Sequence, residues 1–226
     1  MKAKYIAPGF AMLLLVLTGA PLNAADTYEA ALKAGDENRA SKKFDLALND
    51  YDAAVKSGVN DTQIGLALGK KGMVYAYDKK DFEAARKAAD EALQLQDTES
   101  IARVTALEVL AECQMKADKD NNAAAETLEK ALKLEGVDWS KPHLTLKLGD
   151  AYRFSGKFEL AVATYQKVPE MSDANQGIKA VTYLNIGLTY QYSPHDNEKA
   201  KAAYAKAAEL KPDLQKEIEG HLAKIK

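Results

Sequence analysis

The 226-residue chain has little of the side-chain chemistry on which most metal sites and disulfide-rich proteins depend. It contains one cysteine, Cys113, and three histidines that lie far apart in the sequence, His143, His195 and His221. A single cysteine excludes an internal disulfide, and its apolar neighbours favour a small buried residue over a redox role. No Cys or His pair has metal-ligand spacing, so no metal site is predicted.

The glycines and serines also lack the patterns that accompany common active sites. The thirteen glycines are scattered singly rather than gathered in a phosphate-binding loop, and no serine stands in a G-x-S-x-G elbow. Carboxylates are plentiful, but none is set apart in an apolar segment. The sequence therefore predicts neither a cofactor nor an enzymatic activity.

The charges are balanced, with 31 basic and 33 acidic side chains. They form no basic stripe of the kind that nucleic-acid-binding proteins carry. No nucleic-acid partner is therefore expected.

The N-terminus has the three marks of a secretory signal peptide over residues 1–24. Lys2 and Lys4 form a basic start, residues 10–17 are apolar, and Leu22-x-Ala24 follows Pro21. The apolar run is far shorter than the roughly 20 residues that span a bilayer. We expect cleavage after Ala24 or Ala25 and export to the periplasm, or secretion, with no transmembrane span in the mature chain; an uncleaved anchor is the alternative.

One motif occurs twice near the C-terminus. Leu148-Gly149-x-x-Tyr152, with Ala161 and Tyr165 after it, is followed by Ile186-Gly187-x-x-Tyr190, with Ala200 and Tyr204. Gly149 and Gly187 are 38 residues apart, as are Phe44 and Phe82, while Phe82 and Phe158 are separated by two such periods. Apolar residues recur at helical spacing throughout, and no segment alternates like a strand.

This pattern resembles the tetratricopeptide-repeat family, whose helix-turn-helix units stack into a solenoid. The resemblance implies an all-α, right-handed superhelical α-solenoid of about five repeats, in which the motif residues serve close packing. The expected repeats are 28–61, 66–98, 105–138, 142–174 and 180–213, with a capping helix over 213–226. Asp26 is expected to cap the first helix, and repeat five to carry one extra residue in its turn.

The resemblance also implies a binding groove lined by the first helix of each repeat. Counting from the Leu-Gly positions predicts the following groove residues: Lys70, Lys71, Tyr77, His143, Lys147, Asp150, Arg153, Phe154, Asn185, Leu188, Gln191 and Tyr192. This mixed set suits an extended protein or peptide segment, with arginine and aromatic anchors. The alternative for the lysines is a solvated helix face.

The predicted function is therefore a non-enzymatic protein-binding or peptide-binding scaffold or adaptor of the bacterial cell envelope. Two alternatives remain open at this point. One is a ligand carrier or an enzyme whose site forms only in three dimensions. The other is a structural solenoid that associates with itself as a homo-oligomer.

Overall fold

The structure, a computed structural model, describes residues 24–192 and 196–225, with side chains from Thr27 onward. Within these ranges the chain is helical and contains no strand, which confirms the predicted all-α class. The predicted signal peptide up to residue 23, and His195, lie outside the described residues. The α-helices are α1 Ala24–Ala40, α2 Phe44–Ser57, α3 Asp61–Met73, α4 Phe82–Gln94, α5 Ser100–Cys113, α6 Asn121–Leu132, α7 Lys141–Phe154, α8 Phe158–Tyr165, α9 Gln176–Tyr192, α10 Asn197–Leu210 and α11 Gln215–Leu222.

Helices α1 to α10 form five successive helix pairs, and α11 packs on the last of them. The first helix of each later pair also packs against the second helix of the pair before it, so the pairs stack into a solenoid. Helix α11 buries Ile218 against α10 and is shorter than the capping helix expected over 213–226. Because α1 begins at Ala24, Asp26 lies inside the helix, and its predicted capping role is wrong.

Glycine on the first helix and tyrosine on the second join three of the pairs. A Cβ atom on Gly149 would lie 2.3 Å from Cε1 of Tyr165, so the ring rests directly on the helix backbone. The same contact occurs, with 2.5 Å distances, in the pairs Gly35–Tyr51 and Gly187–Tyr204. All three rings are fully buried. The motif residues therefore act in packing, as the sequence predicted.

The turn within each pair has one of two lengths. In repeat one the Lys43 N–H donates a hydrogen bond to the Asn38 carbonyl, and in repeat four the Lys157 N–H donates to the Tyr152 carbonyl. In both repeats the donor lies five residues after the acceptor. In repeats two, three and five the equivalent bond spans six residues: Asp81 to Tyr75, Asp120 to Gln114 and Asp196 to Tyr190. The extra residue predicted for repeat five alone is thus present in three repeats. In repeats two and three it is accommodated by π-helical turns, Val74–Lys79 and Gln114–Asp118.

Helix α8 is only 8 residues long, whereas the other second helices have 12 to 14. It ends at Tyr165, and a short 3-10 turn, Val168–Glu170, follows it. Pro169 lies in that turn and has no N–H with which to continue an α-helix. The last helical turn that would cover the next repeat is therefore missing.

Cys113 is fully buried, as its neighbours in the sequence predicted. Burial is the main cause that raises the pKa of its thiol to about 11. The thiol is therefore protonated at neutral pH and unreactive. Of the helices in the described ranges, none combines the length and the apolar character needed to cross a bilayer.

Candidate binding face

Five side chains from three successive first helices meet in the middle of the solenoid. We call them the central polar cluster: Tyr77, Glu108, Glu112, His143 and Lys147. The Tyr77 hydroxyl donates to Glu108 Oε1 at 3.0 Å, and His143 Nε2 lies 3.1 Å from the same oxygen. Lys147 Nζ donates to Glu112 Oε2 at 2.9 Å, and both of these side chains are buried.

The central polar cluster favours the charged form of Glu108 despite the burial of this side chain. Burial acts to raise the pKa of Glu108, but the hydrogen bond and charge of His143, the charge of Lys147 and the Tyr77 hydroxyl outweigh it, and the pKa is lowered. Burial first, and then the charges of Glu108 and Glu112, raise the pKa of Tyr77 well above its ordinary value. The tyrosine is therefore a permanent hydrogen-bond donor at physiological pH.

One contact within the cluster joins first helices of repeats that are not adjacent. The ammonium of Lys147, in repeat four, lies 4.6 Å from the ring centroid of Tyr77, in repeat two. Packed helices are typically about 8–10 Å apart, so α3 and α7, with α5 between them, would be about 16–20 Å apart in a flat layer. Lys147 and Tyr77, which lies in the turn that continues α3, nevertheless meet across α5, as is expected on the concave face of a repeat solenoid.

On the N-terminal side of the cluster, the predicted groove cation Lys70 is engaged by its own chain. Lys70 Nζ lies 2.8 Å from Oδ1 of Asp36, which also accepts a 2.7 Å hydrogen bond from the buried Tyr51. Arg39 Nε binds Asp78 at 2.7 Å in a second link between repeats one and two. These charges therefore join neighbouring repeats.

On the C-terminal side, Asp150 is the hub of a similar network. Its Oδ1 accepts hydrogen bonds from the Tyr165 hydroxyl at 2.6 Å and from Asn185 Nδ2 at 2.9 Å. Arg153 Nε donates to the Tyr165 hydroxyl at 3.3 Å. Further along, Gln191 accepts from the Tyr204 hydroxyl at 2.5 Å. Asp150, Asn185 and Gln191 therefore act in the packing of the solenoid.

Two of the predicted groove residues are exposed aromatic side chains. Phe154 is 49% exposed and Tyr192 is 54% exposed. They occupy equivalent positions, 38 residues apart, at the C-terminal ends of α7 and α9. Arg153 Cζ lies 4.2 Å and Lys116 Nζ 5.4 Å from the centroid of the Phe154 ring. We call Phe154, Tyr192, Lys116 and Arg153 the aromatic patch.

The remaining predicted groove residues are Leu188 and Lys71. Leu188 is partly buried and packs beside the core of repeat five. Lys71 pairs with Asp52 of α2 at 2.6 Å and lines a shallow depression with residues of α4, so it lies beside the second helices. The π-helical turn displaces the register of repeat two by one residue, which makes Lys70 the equivalent of Lys147.

Sequence reasoning missed the acidic half of the central polar cluster. Glu108 and Glu112 are four residues apart on α5, a helix whose other buried residues are mostly apolar. Two carboxylates at i and i+4 on such a helix share one face, and burial requires partners for both of them. That spacing was the available signal. Throughout the described residues, this cluster included, His, Cys, Asp and Glu form no group that could hold a metal ion.

Stacked helix pairs with a concave first-helix face define a repeat protein of the α-solenoid class. Residues 144–175, which contain most of repeat four, match the family model of the tetratricopeptide repeat. Repeat four of the chain therefore matches the tetratricopeptide repeat by sequence. No curated protein matches its sequence.

Solved structures with the same fold include three repeat proteins that the chain covers almost completely. MamA is 24% identical with a TM-score of 0.56, over 85% of this chain and 96% of that one. YrrB, described as a TPR protein with an unusual peptide-binding site, is 19% identical with a TM-score of 0.59. The match covers 91% of this chain and 100% of YrrB. TTC0263 of Thermus thermophilus is 18% identical with a TM-score of 0.64, and the match covers 87% of this chain and 99% of TTC0263. At these identities the likeness concerns the fold.

Proposed function

We propose that the protein is a non-enzymatic scaffold that binds an extended protein or peptide segment on its concave face. The observation that carries the proposal is the aromatic patch. Most charged side chains of the face are engaged within the solenoid, whereas Phe154 and Tyr192 remain exposed. Large aromatic side chains and arginine are the most frequent anchors of protein interfaces. The structural likeness to YrrB, which is described as having a peptide-binding site, supports the same function.

The composition of the aromatic patch indicates the kind of segment that it would bind. Lys116 is exposed and forms no ion pair among the described residues, whereas Arg153 is shielded by Tyr165 and Phe154. A partner segment would place an apolar side chain on Phe154 or Tyr192 and an acidic side chain near Lys116. The partner segment is therefore expected to carry apolar and acidic side chains rather than basic ones.

The proposed setting is the bacterial cell envelope, after removal of residues 1–24 as a signal peptide. The support is the sequence pattern of basic start, apolar run and cleavage site. Removal of this segment takes away Lys2 and Lys4 and leaves 29 basic and 33 acidic side chains. Fractionation of cells followed by N-terminal sequencing tests the proposal: the periplasmic fraction should yield a chain that begins at Ala25 or Asp26. An intact Met1 in the cytosolic fraction would contradict it.

The binding function is tested with a phage library of random 12-residue peptides, selected on the immobilised protein. The affinity of an enriched synthetic peptide is then measured by fluorescence anisotropy. Replacing Phe154 and Tyr192 together by alanine should weaken binding about tenfold or more, because buried aromatic anchors each contribute more than about 1 kcal/mol.

Trp139→Ala is the matched control for this experiment. Trp139 is an aromatic residue of similar exposure, 58%, in the turn before α7 and outside the aromatic patch. Its replacement should leave the peptide affinity unchanged, and all variants should keep the helical circular dichroism of the parent. Equal affinities of the double variant and the parent protein would remove the aromatic patch as the binding site.

A further inference from the structure

A cavity of about 530 Å³ lies between repeats four and five, where the missing last turn of α8 would be. Tyr183, Ile186 and Tyr190 of α9 form one wall, and Ala202 and Ala203 belong to the opposite one on α10. These residues do not belong to the concave face, on which α9 presents Asn185 and Leu188 instead. The cavity is therefore distinct from the proposed groove, and its volume lies within the roughly 300–1,000 Å³ that is typical of small-molecule sites.

The preceding repeat shows what normally covers this surface. Thr145 and Tyr152 of α7, which are 38 residues before Tyr183 and Tyr190, are only 4% and 8% exposed. Helix α6 covers them, and its Glu129 accepts a hydrogen bond from the Tyr152 hydroxyl. Helix α6 continues four residues beyond Leu128, whereas α8 ends at the equivalent Tyr165.

Tyr183 and Tyr190 are consequently left partly exposed, and neither hydroxyl forms a hydrogen bond within the described residues. The cavity thus has two tyrosine rings and Ile186 on one wall, alanine side chains on the other, and two hydroxyls that are free to donate. A flat aromatic group satisfies both the apolar area and the preference of such rings for stacked or edge-to-face contacts.

The charge at the rim defines the polar end of the ligand. Lys206 Nζ lies 5.2 Å from the centroid of the Tyr183 ring and pairs with no acidic side chain of the described residues. The other lysine, Lys199, is held by Asp196 at 2.8 Å, and Glu170 also lines the rim. One unpaired ammonium beside a carboxylate favours a single negative charge over a phosphate or a polyanion.

We propose that this pocket binds a small aromatic carboxylate. The ring lies against Tyr183 and Tyr190 in the space left by the short α8, and the carboxylate pairs with Lys206. The hydroxyls of the two tyrosines supply the remaining donors. Pro169 is the sequence feature that keeps the pocket open, because it prevents α8 from continuing over it.

The probe is indole-3-acetate, titrated into the isotope-labelled full chain and followed by amide chemical shifts. Saturable shifts are expected at Ala202, Ala203 and Tyr190, with a dissociation constant of about 1 mM or below, as expected for a ligand of this size. The neutral analogue indole-3-acetamide should bind at least about fivefold more weakly, because it cannot pair with Lys206.

Two variants locate the site. Ala202→Phe places a ring from the exposed face of α10 into the pocket and should abolish the shifts. Lys206→Met keeps the aliphatic part of the side chain. It should lower the affinity for indole-3-acetate to that for indole-3-acetamide. Lys211→Met, an exposed lysine outside the pocket on the same segment, is the matched control and should change nothing.

Each outcome decides the proposal. Shifts that saturate in the parent protein, disappear in Ala202→Phe and weaken in Lys206→Met support it. No saturable shift at 10 mM ligand, shifts confined to the concave face, or equal affinities of parent and Ala202→Phe would overturn it. Unchanged binding in Lys206→Met would overturn the assignment of the carboxylate. Circular dichroism and the melting temperature verify that Ala202→Phe is folded.

Discussion

The side chains of the concave face illustrate how burial changes the role of a charged residue. Lysine on the surface of a solenoid helix is ordinarily solvated, but Lys147 is only 8% exposed and is bonded to Glu112. Glu108 is similarly enclosed and accepts hydrogen bonds from Tyr77 and His143. Each of these buried groups has a partner in an adjacent repeat, and the loss of that partner leaves a buried polar group uncompensated.

The lowered pKa of Glu108 leads to a prediction on acid stability. Because the native pKa is below the unfolded value of about 4.3, the carboxylate stabilises the fold above that pH. This stabilisation is lost as the pH falls through the native pKa. Glu108→Gln should lower the free energy of unfolding by about 1–3 kcal/mol at pH 7. The variant should also lose less stability than the parent protein between pH 5 and pH 3.

Urea unfolding at a series of pH values, followed by circular dichroism, measures this difference. Glu135→Gln is the matched control, because Glu135 is exposed and has no ion pair within the described residues. The free energy of unfolding of this variant should change with pH in parallel with that of the parent protein. Parallel profiles for Glu108→Gln and the parent would contradict the assigned role of Glu108.

At the scale of the helices, the two turn lengths differ in the residue that immediately precedes the second helix. The long turns end in aspartate, and Asp81, Asp120 and Asp196 each accept a hydrogen bond from the N–H three residues later. The short turns end in Lys43 or Lys157, neither of which caps the helix with its side chain. An aspartate cap therefore accompanies the extra residue and stabilises the helix that follows it.

Asp120→Ala tests the contribution of this cap. Asp120 Oδ1 accepts from the Ala123 N–H at 2.9 Å, and its removal should cost about 1 kcal/mol of stability. Asp120→Asn should retain most of the stability, because the amide oxygen can accept the same bond. Thermal unfolding is the measurement. Lys43→Ala, which removes a side chain from the same position of a short turn, should change the stability by less than half as much.

The helix pairs could be predicted from the sequence because their signals are local. Gly149, Tyr165 and their equivalents repeat at 38 residues and pack as that spacing implied. The register of repeat two could not be read from the same period, because the π-helical turn before Lys80 inserts one residue within the helix. For that reason the 38-residue period predicts Lys71 in the groove, although its side chain packs beside α2 and α4.

The candidate site was only partly predictable for a different reason. The period identified Lys147, Arg153 and Phe154 as neighbours on one face, but it carries no information on partners from adjacent repeats. Whether Lys147 is free or paired depends on Glu112, which is 35 residues earlier. The exposed aromatic patch is thus what remains of the predicted groove after these long-range pairs have formed.

At the scale of the molecule, the central polar cluster couples repeats that are not adjacent. The stability of a solenoid is usually described by contacts within repeats and between nearest neighbours. Here Lys147 of repeat four contacts Glu112 of repeat three and the ring of Tyr77 in repeat two. This side chain should therefore influence whether the solenoid unfolds as one unit.

Lys147→Met tests that coupling. It leaves Glu112 buried without its cation and should lower the free energy of unfolding by about 3–5 kcal/mol. Adding Glu112→Gln to the variant should recover much of this loss, because the carboxylate that lost its cation is then absent. In Lys147→Met, amide hydrogen exchange should accelerate more in α7 to α10 than in α1 and α2, since the link across repeat three is broken. Lys71→Met, which removes a lysine from a half-exposed pair, should cost about 1 kcal/mol or less. A uniform acceleration along the chain would show that the solenoid still unfolds as one unit without Lys147, which would contradict the assigned coupling role.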